Sequence, residues 1–67
     1  MLLENITKLC KVKGISIAKL EREAGIGNGT IGRWDSVSPS IDNVCKVANY
    51  FEVTIDQLIS GSAADSD

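Results

Sequence analysis

The stretch "AGIGNGTIGRWD", Ala24 to Asp35, crowds glycines at positions 25, 27, 29 and 32 against the only tryptophan of the chain, Trp34. Glycine density suggests a loop that wraps a phosphate, whereas Ile26, Ile31 and Trp34 suggest the apolar stripe of a helix. A phosphate-cradling loop of the GxxxxGK[ST] kind follows a strand and carries a lysine; this stretch holds no lysine and no strand pattern precedes it. Gly25, directly after an apolar helical stripe, supplies the positive φ that turns a chain sharply, and Asn28 is a natural cap for a helix beginning there. The spacing therefore predicts a helix over 28–35, with Ile31 and Trp34 on one face and Asn28, Gly29, Gly32 and Arg33 on the other. Each internal glycine costs such a helix roughly 0.5–1 kcal/mol relative to alanine, so neighbouring elements must hold it.

On the N-terminal side, Leu2, Ile6, Leu9 and Cys10 recur at helical spacing and Gly14 comes next as a stop, which predicts a helix over 3–13. Ser16 is a good cap for a second helix over 16–24, with Ile17, Leu20 and Ala24 in one stripe. On the C-terminal side comes the polar turn "DSVSP", Asp35 to Pro39. Ser40 then caps a helix over 40–51 whose apolar positions are Ile41, Val44, Cys45, Ala48 and Phe51. Thr54 caps a last short helix, "IDQLIS", and "GSAADSD", 61–67, is small and acidic and predicts a disordered tail. The expected fold is all-α, a compact bundle of about five helices in one domain over 1–60.

Sixty-seven residues make one small domain at most, too small to surround a deep catalytic cleft. The chain has no histidine and its two cysteines, Cys10 and Cys45, form no CxxC, so no zinc ligand set and no cofactor is expected. Both cysteines fall on apolar helix faces, which favours buried free thiols and a reducing, cytoplasmic setting. Glu4, Lys8 and Lys11 interrupt the N-terminus, which lacks the apolar region of a signal peptide, and no run approaches the roughly 18 apolar residues of a membrane span. Glu21 and Glu23, two apart on a helix, point away from each other and make no acid–base pair. No enzyme is expected. The formal charge of −2 conceals an asymmetry: residues 1–36 hold six Lys/Arg against four Asp/Glu, and residues 37–67 hold one against five. One mildly basic surface can therefore face an anion.

Two short helices joined across Gly25 form a helix-turn-helix pattern. Residues 2–60 resemble the helix-turn-helix XRE family, the Cro and phage-repressor type. The resemblance is carried jointly by "GIS" at Gly14 to Ser16, Leu20, Gly25, "TIGRWD" at Thr30 to Asp35, "SPSID" at Ser38 to Asp42, "KVANYFEV" at Lys46 to Val53 and "IDQLI" at Ile55 to Ile59. It is most similar to short regulators of phage-like elements in low-GC Gram-positive bacteria. The resemblance implies a lambda-repressor-like bundle that lays the second helix of the motif in the DNA major groove, as a homodimer on a near-palindromic operator. Carried over, Gly27, Asn28, Gly29, Gly32 and Arg33 face the bases, and Ser16, Ile17, Thr30, Ser36, Ser40 and Asn43 lie near the phosphates. Ile17 stands where many relatives have a glutamine. Cys10 stands where an arginine often pairs with the residue at Asp35. Glu21 replaces an alanine near the turn of the motif, so it either points outward or spaces the two helices differently.

An arginine at position 33 can donate two hydrogen bonds to guanine O6 and N7, while Asn28 either reads adenine or caps the helix. Lys11 and Lys19 add a candidate phosphate rim, and Trp34 belongs to the core. The expected partner is double-stranded DNA, with no membrane and no small-molecule ligand, and the expected role is a sequence-specific transcriptional repressor. The homodimer seam is expected at Tyr50, Val53, Ile55 and Ile59. The alternative is a protein-interaction module on the same fold, an antitoxin or anti-repressor partner whose acidic second half meets a basic protein.

Overall fold

The computed structural model describes residues 2–61, and among them every regular element is helical. Four α-helices succeed one another: α1 (Leu2–Lys13), α2 (Ile17–Ala24), α3 (Ile41–Phe51) and α4 (Ile55–Ser60), with a single 3-10 turn, Ile31–Arg33, between α2 and α3. The class is as expected, and the four α-helices correspond to the outer four of the anticipated five. Residues 62–67, most of the anticipated tail, lie outside the described residues. None of the described helices is long and apolar enough to cross a membrane.

Three starts are set by side-chain caps. Ser16 accepts from the Lys19 amide and Ser40 from the Asn43 amide. Thr54 and Gln57 form a reciprocal capping box, each side chain accepting from the other's backbone N–H. These bonds satisfy amides that a helix leaves without partners at its first turn. Three ends share another device, a residue in the left-handed region with an aliphatic one after it. Gly14 (φ 73), Gly25 (φ 78) and Glu52 (φ 58) turn the chain, and the amides of Ile15, Ile26 and Val53 reach back five residues to the carbonyls of Cys10, Glu21 and Ala48. Each aliphatic side chain then folds onto the core, which is the apolar contact that accompanies such helix endings.

The centre of the core is Ile6, Leu20, Ile31, Val47 and Leu58, all fully buried, with Leu9, Cys10, Ile26, Trp34, Val44, Ala48 and Phe51 around it. Both thiols are free, Cys10 buried and Cys45 half-buried, and burial pushes the Cys10 thiol above its ordinary pKa. Helix α1 packs on α4, and buried Asn5 joins them by donating through Nδ2 to the Leu58 and Ile59 carbonyls, each at 2.9 Å. Gly61 closes α4 with φ 84, its amide bonded to the Gln57 carbonyl. Helix α3 holds the far end of α2, because Lys46 Nζ donates to the Gly25 carbonyl and the Tyr50 hydroxyl donates to Glu23. The Glu23 bond, together with desolvation and the Glu23 charge, raises the Tyr50 pKa.

Candidate nucleic-acid interface

From Gly25 the chain leaves α2, drops Ile26 into the core and runs through a turn closed by the Thr30 amide on the Gly27 carbonyl at 3.1 Å. A Cβ at position 27 would stand 3.0 Å from Thr30 Oγ1, so a larger residue there would have to push the Thr30 side chain aside. Ile31 to Arg33 then form the 3-10 turn, and the amides of Ser36 and Val37 fold back on the Arg33 carbonyl. The helix anticipated over 28–35 is therefore reduced to one 3-10 turn flanked by turns. Gly29 adopts φ 83, outside the helical region, and breaks the helix before it starts. Asn28 does not cap the 3-10 turn: the residue directly before that turn is Thr30, whose side chain makes no capping bond, and the Asn28 side chain makes no hydrogen bond among the described residues.

The cap comes instead from α2. Glu21 is 3 % exposed, and its two carboxylate oxygens accept from the Gly29 amide at 3.0 Å and the Ile31 amide at 2.8 Å. It does not point outward, the first of the two possibilities its place near the turn left open. A buried carboxylate is tolerable only when hydrogen bonds replace its water, and bonds to an ionised acceptor are stronger than neutral ones. No periodicity pointed to this role. The only signal was a carboxylate standing where relatives have an alanine.

The facial division foreseen for this segment survives the change of conformation. Ile31 and Trp34 are buried, while Gly27, Asn28, Gly29, Gly32 and Arg33 are all exposed along the outer edge. The Arg33 guanidinium makes no ion pair or hydrogen bond among the described residues. An open depression is lined by Ala18, Glu21, Arg22, Ile26 and Asn28.

The candidate phosphate residues differ in exposure. Ser16, Ser36, Ser40 and Lys11 are exposed; Ile17, Thr30, Asn43 and Lys19 are half-buried. Ser16 and Ser40 accept helix amides through Oγ, which leaves each hydroxyl proton to donate to an anion. Ser36 has its hydroxyl on the Arg33 carbonyl at 3.4 Å. Ile17 packs against the core and offers no polar side-chain group. Lys19 stands 3.9 Å from Glu23, both side chains keeping more than two-fifths of their surface in solvent, an interaction weak enough for a phosphate to displace. Asp35 is exposed and makes no ion pair among the described residues, while Cys10, where an arginine would face it, is buried.

Comparison with curated proteins and with solved structures returned no significant match. The profile of the Cro/C1-type HTH DNA-binding domain matches residues 5–63, a span that takes in nearly all of α1, the Glu21-capped turn and the three helices around it. With two short elements joined across Gly25 and an exposed polar edge on the second, the chain belongs to the Cro/C1-type helix-turn-helix DNA-binding domain family.

Proposed function

We propose that the protein is a sequence-specific transcriptional repressor that binds a near-palindromic operator as a homodimer and blocks a promoter by occupying it. The observation that carries this reading is the exposure of Gly27, Asn28, Gly29, Gly32 and Arg33 next to buried Ile31 and Trp34, with the Arg33 guanidinium unpartnered among the described residues, within a DNA-binding family. In this reading Arg33 donates to a guanine edge, Asn28 reads a neighbouring base, and the glycines at 27, 29 and 32 let the backbone come close to the groove wall. Ser16, Ser36, Ser40, Thr30, Asn43 and Lys11 set the register through phosphates, which position a protein without specifying a sequence. Lys19 joins them once it leaves Glu23.

Selection of bound sequences from a random DNA pool at low salt tests the proposal. Enrichment of a two-fold symmetric site is the expected result. Enrichment of nothing, beside capture of a basic protein partner, would replace it with the interaction-module reading that the net charge of −2 also accommodates.

A further inference from the structure

Glu21 bonds a segment that starts eight positions further along the chain. The first amides of any helical turn lack partners within it and carry its partial positive charge, and here no local side chain caps them. The carboxylate fills both deficits by pinning the nitrogens of Gly29 and Ile31 from below. Both side chains of the exposed edge lie close to these two points: Asn28 precedes the first and Arg33 lies within one turn of the second, with half-buried Thr30 between the points. The segment has little stiffness of its own, since Gly29 and Gly32 are the poorest helix formers short of proline. Base recognition, however, needs its donors held to within about half an ångström.

We infer that Glu21 is a positioning residue of the DNA-reading segment: by holding the Gly29 and Ile31 amides it sets the directions in which Asn28 and Arg33 leave the surface. The inference rests on the proposed reading of DNA by that edge. Glu21 itself is almost fully buried with both oxygens on backbone amides, and of the groups assigned to phosphates those at Ser16, Ser40 and Lys11 do not bond to it, Thr30 alone lying within the segment it holds. Its loss therefore separates two quantities that a general loss of folding would lower together. Discrimination between operator and random DNA falls, while affinity for random DNA stays.

The test uses Glu21→Gln and Glu21→Ala, measured at a temperature where circular dichroism shows each fully folded, on the selected operator and on random DNA at one salt concentration. Affinity for the operator should drop about ten-fold or more, with less than about a three-fold change on random DNA. Glu21→Gln keeps one accepting oxygen and should fall between wild type and Glu21→Ala. A variant with the wild-type ratio of operator to random affinity overturns the positioning role, as does an equal loss on both DNAs. Hydrogen exchange of the wild-type protein needs no variant to fold: the amide of Gly29, an exposed residue, should exchange more than about ten-fold slower than in an unfolded chain. Exchange at the unfolded rate overturns the inference on its own. A wild type that selects no DNA sequence while its Gly29 amide is protected overturns the reading of DNA instead, and the positioning role with it.

Discussion

Arg33 leaves the surface from a three-residue turn with no partner among the described residues, so its effect on binding can be measured without breaking an internal bond. If it reads a guanine, Arg33→Ala should cost about 1–3 kcal/mol on the preferred operator and much less on random DNA. Lys11→Ala should weaken both DNAs alike and lower the slope of log affinity against log salt by about one. Equal losses for Arg33→Ala on both DNAs would make Arg33 a phosphate clamp. Two glycines of the same segment should respond in opposite directions to alanine. At Gly32 nothing lies within 4 Å of an added Cβ and φ is not positive, so Gly32→Ala should raise stability by about 0.4–1 kcal/mol. At Gly29 the φ of 83 strains any side chain, and Gly29→Ala should lower stability by about 1–2 kcal/mol. Urea unfolding of the two variants side by side checks both signs. Ordinary stabilisation by both would put the segment back in a regular helix.

The helices were readable in the sequence wherever their ends are set by residues close along the chain. Ser16, Ser40 and Thr54 each accept an amide three positions on, and Gly14 and Gly25 turn the chain directly after the helix they end. The reading failed where the deciding contact spans many residues. The segment after Gly25 takes its cap from Glu21, eight and ten positions back, so the apolar spacing of Ile31 and Trp34 gave the right faces and the wrong helix. Asn5 was likewise silent, because its partners on α4 lie more than fifty residues away. For the proposed DNA edge, the sequence supplied which residues are exposed, while the element that shapes the edge could be seen only in three dimensions. One helix end breaks the glycine pattern: Glu52 closes α3 at φ 58, a conformation that costs an ordinary residue about 1–2 kcal/mol. Glycine also gives up more freedom on folding, so Glu52→Gly should gain only about 0.5–1 kcal/mol, visible as a rise in thermal midpoint. No gain would mean that the Glu52 side chain contributes a contact of its own.

A domain of this size has a small core and a narrow stability margin, and a single reading segment covers half of a two-fold symmetric operator. Both considerations favour a second copy, and the proposed seam can be refined against burial. Tyr50, Val53 and Ile55 are half-buried and already packed against the core, whereas Ile59 is 56 % exposed on the last helix. Ile59 is thus the member of the set with most surface left to give to a partner, and in a two-fold interface the same patch meets itself. Replacing it by aspartate places two carboxylates across the axis and removes apolar contact, at a side chain more than half exposed within the protomer. The outcome expected for Ile59→Asp is a monomer in sedimentation velocity at a protein concentration where wild type is dimeric, with an unchanged α-helical circular dichroism spectrum. Each half-site should still be contacted by the variant, but the cooperativity between half-sites should be lost and a longer stretch of titration needed to fill the operator. Leu58 is the control: it is fully buried, so Leu58→Ala should cost about 2–5 kcal/mol and unfold the protomer instead of separating the pair. A wild type that remains monomeric at high micromolar concentration on operator DNA would remove the seam, and a variant that stays dimeric would move it away from α4.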